Sequence, residues 1–380
     1  MAGATITFGH PDDSQLDPDR LVGFLARLDA AAGRALRRNL DDRDDFQDRL
    51  CRDYGRGLDG MDLLYFSALE AADWAKNVVH AQDEEDEREE FEEYYAVIRG
   101  LTARALSAYA EVAWLLRGGF PHGSLTRVRF LHELFVTAGV LAEYGSPGGS
   151  HPELIERYLE HRDVFTPAIA DDLVATGALD STEYFEKDVL DVLERRRAEL
   201  LTRYGKSFAG MWGWAAPLFP GESRVTMRMM GSLVAPEGHY FYGMTSAHVH
   251  AGSEGWHETV VIREHETSLA SGATNLGLAL PSALATAFLL EIIQMAVPSR
   301  VERDDVVEET GAYFLVALAR MSGSISDHMW RGEETVEQAE ISFQARVRQG
   351  VAEERPPAPR VRGLALRATH RLERTLRRTL

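Results

Sequence analysis

"SLTRVRFLHELFVTAGVLAEYG", residues 124–145, decides the fold. Val128, Leu131, Leu134 and Phe135 recur at three- and four-residue intervals, so one side of a helix is apolar and must pack on other elements. Ser124 reads as its N-cap and Gly145 as its stop. Working outward, the same period appears in "LDPDRLVGFLARLDAAAGRAL" (16–36), which opens on Asp17 as a cap with Pro18 in the first turn. "MDLLYFSALEAADWAKNVV" (61–79) and "EYYAVIRGLTARALSAYAEVAWLL" (93–116) repeat it, the latter stopping at Gly118–Gly119. "PELIERYLEHRDVF", "STEYFEKDVLDVLERRRAELLTRYG", "ESRVTMRMMGSLV", "PSALATAFLLEIIQMAV" and "DDVVEETGAYFLVALARMS" follow. Only "ETVVIRE" (258–264) reads as a strand, and one strand makes no sheet. The expected fold is all-α, a multi-helix bundle domain with helical N- and C-terminal extensions. Its parts are an N-terminal extension (1–94), a core (95–260), a C-terminal extension (261–352), and a Pro-containing linker with a basic amphipathic tail (353–380).

Composition narrows the function. The chain of 380 residues carries a net charge of −19, unevenly spread. Residues 355–380 hold eight arginines and one acid, Glu373, a net of +7 that leaves −26 on residues 1–354. An acidic body repels phosphates over most of its surface, so nucleic acid is expected only at a local patch. The run "DEEDEREEFEE" (83–93) reads as a solvated helix face or junction. The single cysteine, Cys51, excludes an internal disulfide and a cysteine-rich zinc site and suits a reducing cytoplasm. "MAGATITFGHPDD" has neither a basic nor an apolar region of the signal-peptide kind, so a cytoplasmic location is expected. The uncharged stretch 267–290 has a polar first half, and the clean apolar run is short of the ~20 residues that span a bilayer. A buried core helix is expected there rather than a transmembrane segment.

In "HYFYGMTSAHVHAG" (239–252), His248 and His250 stand one residue apart. On an extended strand they would share a face and could bind zinc with His239, Glu254 or His257. On a helix, residues two apart diverge by about 200° and shared ligation fails. The stretch reads as a helix, so no metal and no cofactor are expected. His250, at the helix end, then serves either as a C-cap or as a general acid or base. Arg129 and Glu133 lie four apart on one helix face, as a buried pair fixing register or as an anion-binding arginine held by its carboxylate. In "GMWGWAAPLFPG", Trp212 or Trp214 could stack a ligand, but plugging the end of the bundle is the favoured reading.

Four segments in order, "AWLLRGGFPHGSLTRVRFLHELF", "IERYLEHRDV", "LTRYGKSFAGMWGWA" and "HYFYGMTSAHVHAG", resemble a bacterial, all-helical family of unassigned function, the domain-of-unknown-function family 5677. The resemblance implies that Arg129 with Glu133, Tyr204–Gly205 with Trp214, and Ser246 with His250 are its motif residues. It brings no activity. The HEPN ribonucleases, also all-helical, carry an arginine followed after four to six residues by a histidine. Arg117–His122 and Arg127–His132 have that spacing, but about four such pairs are expected by chance, so the spacing decides nothing.

Two functions stand open. The favoured one is a non-catalytic interaction or structural module, in stress or phage defence, with the motif residues holding the bundle. The alternative is a hydrolytic or ribonuclease-like pocket, in which Arg129 binds an anion, Glu133 orients it, His250 is the acid–base, and Ser246, Tyr204 and Trp214 contact ligand. Partners on either reading are a protein or an anionic ligand. The tail, with Leu364, Ala368, Leu372, Leu376 and Leu380 at four-residue intervals, is expected to fold only on contact with an acidic or membrane surface.

Overall fold

A computed structural model describes residues 17–80, 88–165, 187–236, 239–249, 260–263, 266–269, 272–297 and 305–349. The fold is all-α. Helix α1 (Pro18–His80) opens where the Asp17 carboxylate accepts the backbone N–H of Asp19 at 3.0 Å and of Arg20 at 3.3 Å. The two helical segments read near the amino end are thus one helix of 63 residues. Two of its glycines, Gly57 and Gly60, sit where neighbouring side chains leave no room for a Cβ. A Cβ on Gly57 would lie 2.5 Å from the Met329 sulfur, and one on Gly60 would lie 2.9 Å from Ile325.

The chain divides into two compact units, Met1–Arg52 and Asp53–Leu380. In the first, every residue from Phe24 to Asp45 is exposed, so this part of α1 has no packed face of its own. In the second, α2 (Arg88–Arg117) and α3 (Pro121–Tyr144) pack along each other. Helix α3 begins three residues before the expected cap. Pro121 takes the first turn, where its fixed φ suits the helix and its missing N–H costs nothing. Ser124 therefore lies inside, and its hydroxyl donates to the Phe120 carbonyl at 2.9 Å. Gly145 ends the helix as expected, its N–H on the Leu141 carbonyl.

Short α4 (Leu154–Glu160), then α5 (Lys187–Tyr204), two 3₁₀ turns (Lys206–Ala209 and Gly213–Leu218), α6 (Met227–Val234) and α7 (His239–Val249) follow. Both α6 and α7 lie on α3. The expected strand is β1 (Val260–Arg263), and it has a partner. That partner is β2 (Glu266–Leu269), antiparallel, with Val260 opposite Leu269 and Arg263 opposite Glu266. Among the described residues the sheet is this one hairpin.

Helix α8 (Ala279–Ala296) packs on both α2 and α3, and α9 (Asp305–Gln349) packs on α8. Among the described residues α8 alone is long and apolar enough to cross a membrane, and 72% of its apolar window is buried inside the protein. Leu284, Leu289, Ile292 and Ile293 of α8 lose nearly all contact with water, as do Ile98 and Tyr109 of α2 and Leu131 and Leu141 of α3. The N-terminus of α8 is held from far away in sequence. The buried carboxylate of Glu333 accepts the N–H groups of Gly277 (2.6 Å), Leu278 (2.9 Å) and Ala279 (3.2 Å), together with the Tyr54 hydroxyl (3.1 Å). A carboxylate at a helix start meets its free N–H groups and the positive end of its dipole. Burial and that carboxylate together push the Tyr54 hydroxyl well above its usual pKa.

Candidate functional site

The motif residues gather into two groups. The first lies between α3 and α7. Arg129 Nε donates to Glu133 Oε1 at 3.3 Å, and Arg129 Nη2 donates to the Tyr242 hydroxyl at 2.9 Å. The two charged side chains are 15% and 27% exposed, so the pair is largely taken out of water. Ser246, one turn along α7 from Tyr242, donates its hydroxyl to the Tyr242 carbonyl at 2.6 Å. Arg129 thus reaches the side chain of Tyr242 across the α3–α7 packing, while Ser246 bonds only the main chain of its own helix. His132, one turn beyond Arg129, is buried against aromatic rings: its centroid is 5.1 Å from Phe288 and 5.8 Å from Tyr242, while Phe135 stacks on Phe288 at 5.6 Å. Neither Tyr242 nor His132 was singled out for this group from sequence. The signal for His132 was present, three residues from Arg129 on the same face. Tyr242 sits in the quoted 239–252 stretch, but nothing local says which partner it meets.

His250 lies outside the described residues, as do Glu254 and His257. The backbone of His248 is helical, within α7. Among the described residues no cluster of three or more His, Cys, Asp or Glu side chains is placed to hold a metal ion.

The second group lies where α4 and α5 meet the 3₁₀ turns. The Tyr204 hydroxyl donates to Glu160 Oε2 at 2.6 Å. Burial, then the Glu160 carboxylate, raises the phenol's pKa well above its ordinary value. Glu160 also meets Arg196 at 2.5 Å, and Arg203 spans Glu156 at 2.9 Å, so the acidic side of α4 is answered by the basic side of α5. Gly205 then turns the chain at φ 83°, a left-handed conformation that suits glycine. Trp214 follows, 1% exposed, its indole edge-on to Tyr158 at 5.3 Å. Its indole is sealed inside the fold.

What joins Tyr204 to Trp214 is Arg157. Its side chain is buried, its Nε donates to the Trp214 carbonyl at 2.9 Å and its Nη2 to the Gly213 carbonyl at 3.2 Å. The guanidinium carbon lies 4.4 Å from the centre of the Tyr204 ring and 5.0 Å from that of Phe208. Burial pulls its pKa below the usual arginine value. One turn on, His161 Nε2 stands 3.0 Å from the Phe208 carbonyl and 2.9 Å from the Gly210 carbonyl. Both partners only accept, so this nitrogen carries a hydrogen and donates to them. Arg157 and His161 both lie in the quoted "IERYLEHRDV", yet backbone carbonyls some fifty residues away leave no trace in a sequence.

The arginine–histidine spacings do not make joint sites. Arg117 is bound to Asp59 at 2.9 Å and to Asp62 at 2.5 Å, while His122 is exposed. Arg127 pairs with Glu111 at 2.5 Å and covers Phe130, whereas His132 is buried among the rings described above.

Residues 95–267 match the model of a family of unknown function, DUF5677. The chain resembles DUF5677 over that span. The match starts inside α2 and ends inside β2, so it contains both motif groups and leaves α1, α8 and α9 outside. No curated protein and no solved structure matches the chain. Arg129, Glu133, Tyr204, Gly205, Trp214 and Ser246 all lie within the matched span and among the described residues.

Proposed function

We propose that the DUF5677-like region is a non-catalytic helical module, and that the protein works by presenting its surface to a partner. The observation that supports this reading is how the motif side chains are used. Arg129 is engaged by Glu133 and Tyr242, Tyr204 by Glu160, and Trp214 is sealed in the bundle with its carbonyl held by Arg157. Groups committed to one another in this way specify packing and register. A reacting or ligand-binding group would be poised toward open space. A setting in stress response or phage defence belongs to the same proposal.

A second reading has one observation in its favour, an Arg129 guanidinium that stays 15% exposed beside α7. On it, Arg129 binds the anionic part of RNA or another phosphate-bearing ligand, Glu133 orients the guanidinium, and His250 serves as acid–base. One experiment separates the two. The native chain and the Arg129→Ala and His250→Ala variants are expressed in a bacterial host and scored for growth arrest, with circular dichroism on the purified proteins. The module reading expects Arg129→Ala to lower the melting temperature and His250→Ala to change neither growth nor fold. Growth arrest by the native chain that His250→Ala abolishes, with an unchanged spectrum, would overturn it in favour of the pocket.

A further inference from the structure

Within the unit Asp53–Leu380, one side of α1 is apolar and acidic at once. Leu63, Phe66 and Leu69 follow at three-residue steps and are 55%, 60% and 45% exposed. Asp59, Asp62, Glu70 and Asp73 fall on the same side by helical spacing. Arg117, at the end of α2, answers Asp59 and Asp62, while Glu70 and Asp73 are exposed. That contact also brings the last turns of α2 alongside. Trp114, three residues before Arg117 and so on the same side of α2, is 78% exposed. Exposed Trp, Phe and Leu side chains gathered in one place mark an interaction surface rather than ordinary solvent-facing residues.

A counterpart of matching pattern and opposite charge is written into the same chain. Residues 364–380 place Leu364, Ala368, Leu372, Leu376 and Leu380 on one helical side, flanked by Arg367, Arg371, Arg374, Arg377 and Arg378. We propose that residues 364–380 of this chain dock as a helix on the Leu63–Phe66–Leu69 face, with Trp114 at its edge. The leucine ridge covers the exposed apolar side chains, and the arginines meet Glu70, Asp73 and the acidic body beyond.

Chain length permits it. Helix α9 passes α1 with Ile325 at Gly60, Met329 at Gly57 and Glu333 at Tyr54. From Glu333 to the end of α9 at Gln349 is about 24 Å, and from Tyr54 back to Phe66 about 18 Å, at the helical rise per residue. Residues 350–363, extended, reach roughly 45 Å and span the sum. Tethering also raises the local concentration of the segment into the millimolar range, about where a marginal helix can dock.

The test is hydrogen–deuterium exchange of the full chain. The proposal expects residues 364–380 to exchange at least ~10-fold more slowly than a free peptide of that sequence. Phe66→Glu and, independently, Arg371→Glu with Arg374→Glu should each return them to the free-peptide rate while exchange in α8 stays unchanged. Raising the salt should weaken the protection of the native segment. Free-peptide exchange in the native chain overturns the proposal, as does protection that survives Phe66→Glu. Protection that grows with protein concentration would assign the face to a second copy, and protection seen only with added anionic vesicles would assign the segment to a lipid surface. Either also overturns docking within one chain.

Discussion

Two arginines, Arg129 and Arg157, do similar work by different means. Arg129 meets a carboxylate one turn away on its own helix and a tyrosine on α7, and keeps 15% of its side chain exposed. Arg157 is buried to 6% exposure and is held by main-chain carbonyls and aromatic faces. The first pairs charge with charge and stays partly in reach of water. The second meets the Gly213 and Trp214 carbonyls, the latter without an i+3 N–H because residue 217 is proline, and that use ties loop, α4 and α5 together. The more deeply buried contact is therefore the one whose loss should cost more, although the other carries the recognisable spacing.

Removing each arginine tests this ordering. Arg157→Ala leaves the Trp214 and Gly213 carbonyls buried without their donor and strips cover from Tyr204 and Phe208. It should destabilise by about 2–4 kcal/mol in chemical denaturation. Arg157→Lys should recover less than half of that, because an ammonium cannot reproduce the guanidinium fork. Arg129→Ala should cost less, about 1–2 kcal/mol, since water can reach the Glu133 left behind. Equal losses for the two alanine variants would break the comparison.

A pH experiment sharpens it further. Burial, opposed by the two carbonyls it serves, holds the His161 imidazole below its ordinary pKa of 6.5. The unfolded chain therefore takes up the proton first as pH falls. The stability tied to His161 is present above pH 6.5 and is lost progressively below it. Melting temperatures between pH 8 and pH 5 should fall more steeply for the native chain than for His161→Gln, which can still donate to a carbonyl. Parallel curves would show that His161 is not titrating against its carbonyls.

The smallest effect belongs to the basic segment. Deleting residues 355–380 should move the melting temperature of the remaining chain by no more than about 2 °C, because a helix docked on an exposed face adds little to the core. A large drop would make the segment part of the fold.

Much of this architecture was legible in the chain. Asp17 with Pro18, Gly118–Gly119 and Gly145 set helix ends through local chemistry, and a local signal survives in any fold. The i, i+4 spacing of Arg129 and Glu133 likewise requires only one helix. The errors were equally physical. Ser124 has the right chemistry for a cap, but Pro121 had already opened the helix. β2 reads as polar loop because "ETSL" lacks the branched apolar residues that mark β1.

By itself, then, the sequence determined the helical class, several helix ends and the pair on α3, all of them consequences of residues within one or two turns of each other. Only the tertiary structure decided that Glu333 caps α8, that Arg157 and His161 hold the carbonyls of the 3₁₀ turns, and that Tyr242 closes over Arg129. Those partners are tens to hundreds of residues apart. A hydrogen bond depends on where two groups come to rest in space, and the path of the chain between them leaves no periodicity to read.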